Sequence, residues 1–592
     1  MNNIQQKVTN IRKWLKDNEL DIFIIPHADE YLSEYIPPEN ERLSWATGFT
    51  GSAGMAIISN KAAAIFVDGR YTVQVKQQVD ESIYDIKHLI DDPWLKWIKS
   101  HHDEDAIIAF DPRMHHAKWK SITEKQLNGT FNLHAVTENP IDLFWKNRPM
   151  AVAGQAILLD EKYTGKSSQE KRKSIGKVIA DNNCTAAFIT KLDSIAWILN
   201  IRGKDVPCNP VLLSHGILYE DGSFDLFIPK NKISTGFKKH VGPNVQVFTP
   251  DDIESRLSKL SGTQVQFDSN SSNLWAKNLL SNAKIKIFEK EDPCTLPKAC
   301  KNEVELQGMK ECHIRDAVAV CNFLAWLDKE VEEGNLHDEA VLADKLDSLR
   351  AEQDYFKGAS FGTISAAGGN AAMCHYSHKN YDTPGKLELN SVYLVDSGGQ
   401  YLDGTTDITR TITIGEPSEF IKKTFTLVLK GHIALESAQF PEGLGGQHLD
   451  TFARQYLWHE GLDFDHGTGH GVGSYLNVHE GPHSIAKGSN KVPLEEGMVV
   501  SNEPGYYEEG EFGIRIENLI FVKKIGEMKG KKLLGFENLT FVPIDVRLLD
   551  ISIMTQKEKD WLNNYHSEVL EKVGPHLTGN VLEWLKKAVQ PI

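Results

Sequence analysis

SVYLVDSGGQYLDGTTDITRTITIG, from Ser391 to Gly415, reads as a β-hairpin. VYLVD is an apolar run that ends on Asp396, Gly398, Gly399 and Gly404 crowd the connection, and DITRTITI returns as a strand rich in β-branched residues. Asp396 and Asp407 sit symmetrically about the middle of the connection, so antiparallel pairing is expected to set them side by side. Two carboxylates held that close repel unless they are protonated or bridged by cations. Aspartate beside glycine is also the usual turn former or cap, and the hairpin alone does not separate the two jobs.

Two later stretches supply more donors. HGTGHGVG, His466 to Gly473, has glycine at every second position. A helix with that many glycines loses about 1 kcal/mol at each relative to alanine, so the stretch is expected to be extended. Its glycines then line one face, where another backbone comes close, while His466, Thr468, His470 and Val472 line the other. In VVSNEPGYYEEGEFGIRIENLIFV a strand ends at Glu503, a Pro-Gly turn follows, and GIRIENLIFV is read as one strand with Arg515 and Glu517 on the same face. A glutamate inside such an apolar strand is costly to bury unless it is paired or coordinated. The bland alternative is an Arg515–Glu517 surface pair, which stabilises little.

Added together, Asp396, Asp407, His470, Glu503 and Glu517 give four carboxylates and one imidazole near strand ends. Hard oxygen donors with a single nitrogen suit a pair of divalent cations, manganese first, with zinc or cobalt as alternatives. Two such ions about 3.5 Å apart can activate a shared water and polarise a carbonyl.

Bulk composition narrows the class. The chain has 592 residues, too many for one hydrophobic core, and it is 41% hydrophobic and 25% charged, as in soluble globular proteins. Its net charge of −16, from 65 basic and 81 acidic residues, argues against nucleic-acid or anionic-membrane partners. The seven cysteines are scattered and never form C-x-x-C, so they are expected to be reduced. MNNIQQKVTNIRKWLKDNELDIFII lacks an apolar leader pattern, and no run of about 18 apolar residues occurs. A cytoplasmic protein is expected.

An N-terminal helix with Ile4, Val8, Ile11 and Leu15 on one face precedes a buried strand, Asp21 to Ile25, and then AIIS and AAIFVDGRY. The order recurs: a helix from Ser168 with Ile175, Val178 and Ile179 inward, the strand NNCTAAFIT, then DSIAWILNIRG. Phe23 to Trp45 spans 22 residues and Phe188 to Trp197 spans 9, so a longer loop distinguishes the first copy from the second. The expected fold class is α/β and α+β: α/β domains at 1–150 and 151–300, related by duplication, before a catalytic domain at 301–592 with a helical extension at its end. The last begins with a long helix bearing Val320, Leu324 and Leu327.

VDSGGQYLDGTTDITRT, HGTGHGVG, VHEGP, NEPGYY and GIRIEN, with IRGKDVPCNP and WLNNYH elsewhere, strongly resemble the aminopeptidase P branch of the pita-bread metallopeptidases, the family of prolidase and methionine aminopeptidase. The resemblance spans the chain and is to the long, three-domain, cytosolic type. It implies a C-terminal pita-bread domain, and an exopeptidase that releases the N-terminal residue from peptides with proline second, by attack of a water held between two metals. Carried over by motif, Asp396, Asp407, His470, Glu503 and Glu517 are the metal ligands, Glu503 is also the general base, and His375, His466 and His479 face the substrate. Arg515 is expected to orient a carboxylate ligand. Peptides are the implied partners, and the family tends to form homodimers.

Prolidase, acting on Xaa-Pro dipeptides, is the nearest alternative, and the long N-terminal extension argues against it. A non-catalytic pita-bread binding module is expected to have lost the ligands, which are intact here.

Overall fold

The computed structural model describes residues 4–152, 154–488 and 490–592. The chain divides into two compact units, Met1–Leu159 with Lys166–Thr295, and Asp160–Gly165 with Leu296–Ile592.

In the first unit, helix α1 (Ile4–Asp17) buries Val8, Ile11 and Leu15, the helical spacing read from the sequence. Strands β1 (Ile22–Pro26), β2 (Met55–Ser59), β3 (Ala63–Val67), β4 (Asp85–His88), β5 (Ile107–Phe110) and β6 (Asn132–Ala135) form a sheet in the order β4-β3-β2-β1-β5-β6. Alternation along β1 sends Phe23 and Ile25 into one apolar cluster and Ile22 and Ile24 into another, so both faces of the sheet are covered.

A second sheet repeats this plan. Strands β7 (Ala186–Ile189), β8 (His215–Tyr219), β9 (Phe224–Phe227), β10 (Val245–Phe248), β11 (Gln264–Phe267) and β12 (Lys286–Glu289) run in the order β10-β9-β8-β7-β11-β12. In each sheet the first three strands in sequence pair antiparallel and the other junctions are parallel. Identical order and direction support the duplication. Helix α2 (Ser168–Asp181) buries Ile175 and Ile179, but Val178 is exposed, contrary to expectation. Gly176 is buried instead, where an added Cβ would lie 2.8 Å from the Glu220 carbonyl oxygen, and this rotates the inward face away from Val178.

The second unit starts from α3 (Glu303–Glu332), capped by Asn302 and Glu305, with Val320, Leu324 and Leu327 buried. Strand β13 (Ile364–Ala367) pairs with β14 (Ser391–Ser397), which pairs with β17 (Ile408–Ile414). Between them β15 (Gly399–Tyr401) and β16 (Gly404–Thr405) continue the hairpin, so most of the glycine-rich stretch is strand and Leu402 and Asp403 form its turn.

The register corrects the expected symmetry. Asp396 faces Thr409, and Asp407 lies diagonally from it on the same face. The turn is fixed from outside the hairpin. Arg315 of α3 bonds both carboxylate oxygens of Asp403 at 2.5 and 2.6 Å, and the Asp403 carbonyl oxygen comes to 2.3 Å from where a Cβ on Gly308 would stand.

A larger sheet contains β18 (Gly469–Gly471), β19 (Glu480–Ile485), β20 (Val499–Asn502), β23 (Asn518–Met528) and β24 (Lys531–Asn538), while β21 (Gly505–Glu508) and β22 (Phe512–Arg515) form a separate hairpin. GIRIENLIFV is therefore two strands, broken at Ile516–Glu517, because β22 pairs with β21 and β23 leaves to pair with β20. HGTGHGVG is extended only over Gly469–Gly471. Helix α4 (Gln556–Val573) buries Leu562, Tyr565 and Val569 in the main core of this unit. Among the described residues no helix is long and apolar enough to cross a membrane.

The expected close backbone approach is observed at β18. An added Cβ would lie 2.1 Å from the Ser501 carbonyl oxygen at Gly469 and 2.0 Å from that of Glu480 at Gly471, whereas at Gly467 the nearest atom is the Ala486 Cβ at 3.4 Å. Gly471→Ala should therefore lower stability by about 1–3 kcal/mol, and Gly467→Ala should change it by less than about 0.5 kcal/mol. Denaturant unfolding of both variants checks this; equal effects would contradict it.

Candidate metal centre

The site is built where the hairpin β14–β17 meets β18, β20 and the break between β22 and β23. Asp407, His470 and Glu517 offer ligand atoms that all lie within 4.8 Å of one another. His470 Nε2 is 3.5 Å from Asp407 Oδ2 and 3.6 Å from Glu503 Oε1. Its Nδ1 is 3.0 Å from the Gly471 carbonyl oxygen, which fixes the ring and turns Nε2 toward the carboxylates. Ser501 Oγ donates to Glu503 Oε1 at 3.3 Å and accepts from the His470 amide at 2.9 Å.

Asp396 joins through its strand partner. Arg515 Nη2 donates to Asp396 Oδ2 at 2.6 Å, and its Nε donates to Thr409 Oγ1 at 3.1 Å. Thr409 Oγ1 in turn donates to Glu517 Oε2 at 2.7 Å. The sequence alternative of an Arg515–Glu517 surface pair is thereby corrected: both are buried, and Thr409 stands between them because the strand breaks at Glu517. Arg410 fastens the same corner, donating to the Glu517 carbonyl at 2.7 Å, to Asn518 Oδ1 at 2.9 Å and to Tyr565 of α4 at 2.8 Å.

The electrostatics are those of an acidic cluster short of positive charge. Burial, with Asp407 and Glu503 nearby, pushes the Asp396 carboxyl up to about 6 against the pull of Arg515. Burial and the neighbouring carboxylates push Glu517 well up, and burial with Asp407 pushes Glu503 up. Burial works against a charged His470, yet Asp407 and Glu503 raise it to about 9. Oδ1 of Asp396 is buried with no hydrogen-bond partner among the described residues. An orphaned carboxylate oxygen, a tethered imidazole and mutually repelling carboxylates fit divalent cations.

The three other histidines of the sequence reading lie around this cluster. The His479 ring is 4.3 Å from that of His470, centroid to centroid and edge-on. His466 sits with Nδ1 2.8 Å from the Gly467 carbonyl and Nε2 2.7 Å from the Tyr507 hydroxyl. Burial, Arg515 and His375 together hold His466 down to about 3, so its ring is uncharged. His375 is half-buried between Cys374 and Tyr376, close enough for its charge to bear on His466. Tyr507, an aromatic that its sequence context alone leaves as a core residue, also belongs to this group. Its hydroxyl also accepts from Arg515 Nη1 at 2.7 Å, so it joins the His466 ring to the guanidinium that holds Asp396. Its place two residues after the Pro504–Gly505 turn that follows Glu503 was the available signal.

Thr409→Val removes the hydroxyl shared by Arg515 and Glu517 with little change of shape. It should weaken divalent-metal affinity by about 10- to 100-fold, measured by chelator competition; unchanged affinity would contradict the role given to that hydroxyl.

Known proteins resemble this chain along its whole length. Residues 307–524 match metallopeptidase family M24 and 532–592 its C-terminal region, while 7–140 and 147–305 each match the creatinase/prolidase N-terminal domain. The chain is 39% identical to a probable Xaa-Pro aminopeptidase P of Talaromyces stipitatus, with 100% of this chain and 92% of that protein aligned. It is 40% identical to one of Botryotinia fuckeliana, over 100% and 93%. The crystal structure of the Caenorhabditis elegans X-prolyl aminopeptidase, described as a cytosolic enzyme with a di-nuclear active site, superposes with a TM-score of 0.94 at 34% identity and full coverage of both chains. With Asp407, His470 and Glu517 grouped in the M24 portion and relatives aligned from end to end, the chain belongs to metallopeptidase family M24, in the group of Xaa-Pro aminopeptidases P.

Proposed function

We propose that this chain releases the N-terminal residue from peptides with proline in the second position, using two divalent cations held by Asp396, Asp407, His470, Glu503 and Glu517. The observation that carries the reading is the grouping of Asp407, His470 and Glu517, with Glu503 beside His470 and Asp396 Oδ1 buried without a hydrogen-bond partner among the described residues. When bound, the cations supply Lewis-acid polarisation of the scissile carbonyl and a water of lowered pKa. Manganese is our choice, with zinc and cobalt as alternatives.

The protein side chains divide the remaining work. Glu503 is the general base: its carboxylate takes the proton of the attacking water and returns it to the proline nitrogen as the peptide bond breaks. His479 and His375 donate to the carbonyl oxygen as charge builds on it. His466 has both ring nitrogens engaged and is uncharged, so it offers the substrate a ring and not a donor. Proline bonded through its nitrogen has no N–H to satisfy, and an imidazole flanked by Phe464 and Tyr507 suits its ring. We include in the proposal a cytoplasmic location, which fractionation of cells tests, and a homodimer, which analytical ultracentrifugation tests.

The enzyme stripped with chelator should be inactive and regain activity with manganese, cleaving an Arg-Pro-Pro tripeptide better than Gly-Pro. Asp407→Ala should lose activity by about 10³-fold or more, the scale of a lost electrostatic contribution to the transition state. Cleavage of the dipeptide alone would reassign the chain to dipeptide hydrolysis, and full activity in Asp407→Ala would refute the metal assignment.

A further inference from the structure

Glu339 is the first residue of the helix Glu339–Ala351, and it has no exposed surface. Its position just after the Asp338 cap suggests an ordinary acidic residue in a helix first turn. The structure gives it four donors from elsewhere. Oε1 accepts from the Ala367 amide at 2.8 Å and from Asn370 Nδ2 at 2.9 Å. Oε2 accepts from the Tyr376 hydroxyl at 2.6 Å and from the Gly385 amide at 2.7 Å. Its backbone adds bonds from the Glu339 amide to the Gly385 carbonyl at 2.9 Å and from Ser365 Oγ to the Glu339 carbonyl at 2.8 Å.

These partners are the beginning, the middle and the end of one loop, 367–385, and Tyr376 directly follows His375. The other side of the loop lies flat on β21–β22. A Cβ on Gly513 would stand 1.9 Å from the Ala371 carbonyl oxygen, and one on Gly369 would stand 2.6 Å from that of Gly510. That hairpin carries Tyr507 and Arg515. The loop is therefore fixed between a carboxylate on one side and the hairpin on the other, with His375 in the fixed part. A carboxylate that accepts several neutral donors is a strong tether, because each bond is charge-assisted.

We propose that Glu339 is the positioning residue of the His375 loop: by closing 367–385 on itself it sets where His375 stands against the substrate carbonyl. The proposal rests on the reading of His375 as substrate-facing. Among the described residues the Glu339 carboxylate bonds Ala367, Asn370, Tyr376 and Gly385 and none of the proposed metal ligands, so its effect should reach activity through loop geometry.

The test compares Glu339→Gln, Tyr376→Phe, His375→Ala and the double variant Glu339→Gln/His375→Ala in the metal-loaded full chain. In Glu339→Gln an amide donor faces donors, so amide hydrogen exchange over 367–385 should quicken while that of 391–414 stays as in the parent. kcat/KM on a proline tripeptide should fall by about 10- to 100-fold, the scale of a small misplacement of a catalytic group, with metal content unchanged. Tyr376→Phe, which removes one donor and should fold, should move exchange and kcat/KM the same way by less. The double variant should be no slower than His375→Ala. Unchanged exchange in 367–385, lost metal, or additive losses in the double variant would overturn the proposal. Full activity in His375→Ala would instead overturn the reading of His375, and quickened exchange in Glu339→Gln would then leave a structural tether without the catalytic consequence proposed.

Discussion

Carboxylates buried within a few ångströms of one another repel, and this structure brings Asp396, Asp407, Glu503 and Glu517 together with the Arg515 guanidinium and the His470 imidazole among them. Apolar packing alone would not hold such a cluster. The surrounding architecture holds it instead. Arg515 ties Asp396, Thr409 spaces Arg515 from Glu517, Arg410 secures the backbone of Glu517, and the Gly471 carbonyl sets the His470 ring. What these tethers leave unneutralised is what divalent cations supply.

The side chains of this cluster come from distant parts of the chain, so their meeting depends on how strands are placed. The hairpin β14–β17 brings two of them, and its register is set by Arg315 and Gly308 of α3 acting on Asp403 at the turn. The approach of β18 to its neighbours depends on the bare Cα of Gly469 and Gly471. The break at Ile516–Glu517, where the chain passes from one sheet to another, turns Glu517 inward.

Residue type and spacing made much of this legible. The glycine-histidine alternation, the hairpin aspartates and the two glutamates marked the donors, and the helix and strand periods around Val8, Ile24 and Leu324 marked the elements and their buried faces. The register of the hairpin was not legible, because a bond from another helix decides it. Nor was the strand break, since GIRIENLIFV alternates as one strand and only its two different partners divide it. Tyr507 and Glu339 were hidden for a related reason. One looks like a core aromatic and the other like a helix first-turn acid until the distant groups that bond them are seen.

In the N-terminal unit, the two sheets share one strand order although their loops differ in length. The catalytic proposal does not depend on them, but it does depend on the metal count. The direct measurement is metal stoichiometry of the purified chain by mass spectrometry after equilibrium with manganese, alongside Asp396→Asn and Glu517→Gln. Two ions bound per chain, reduced in both variants, is the predicted result; no bound ion, or two in each variant, would contradict the account.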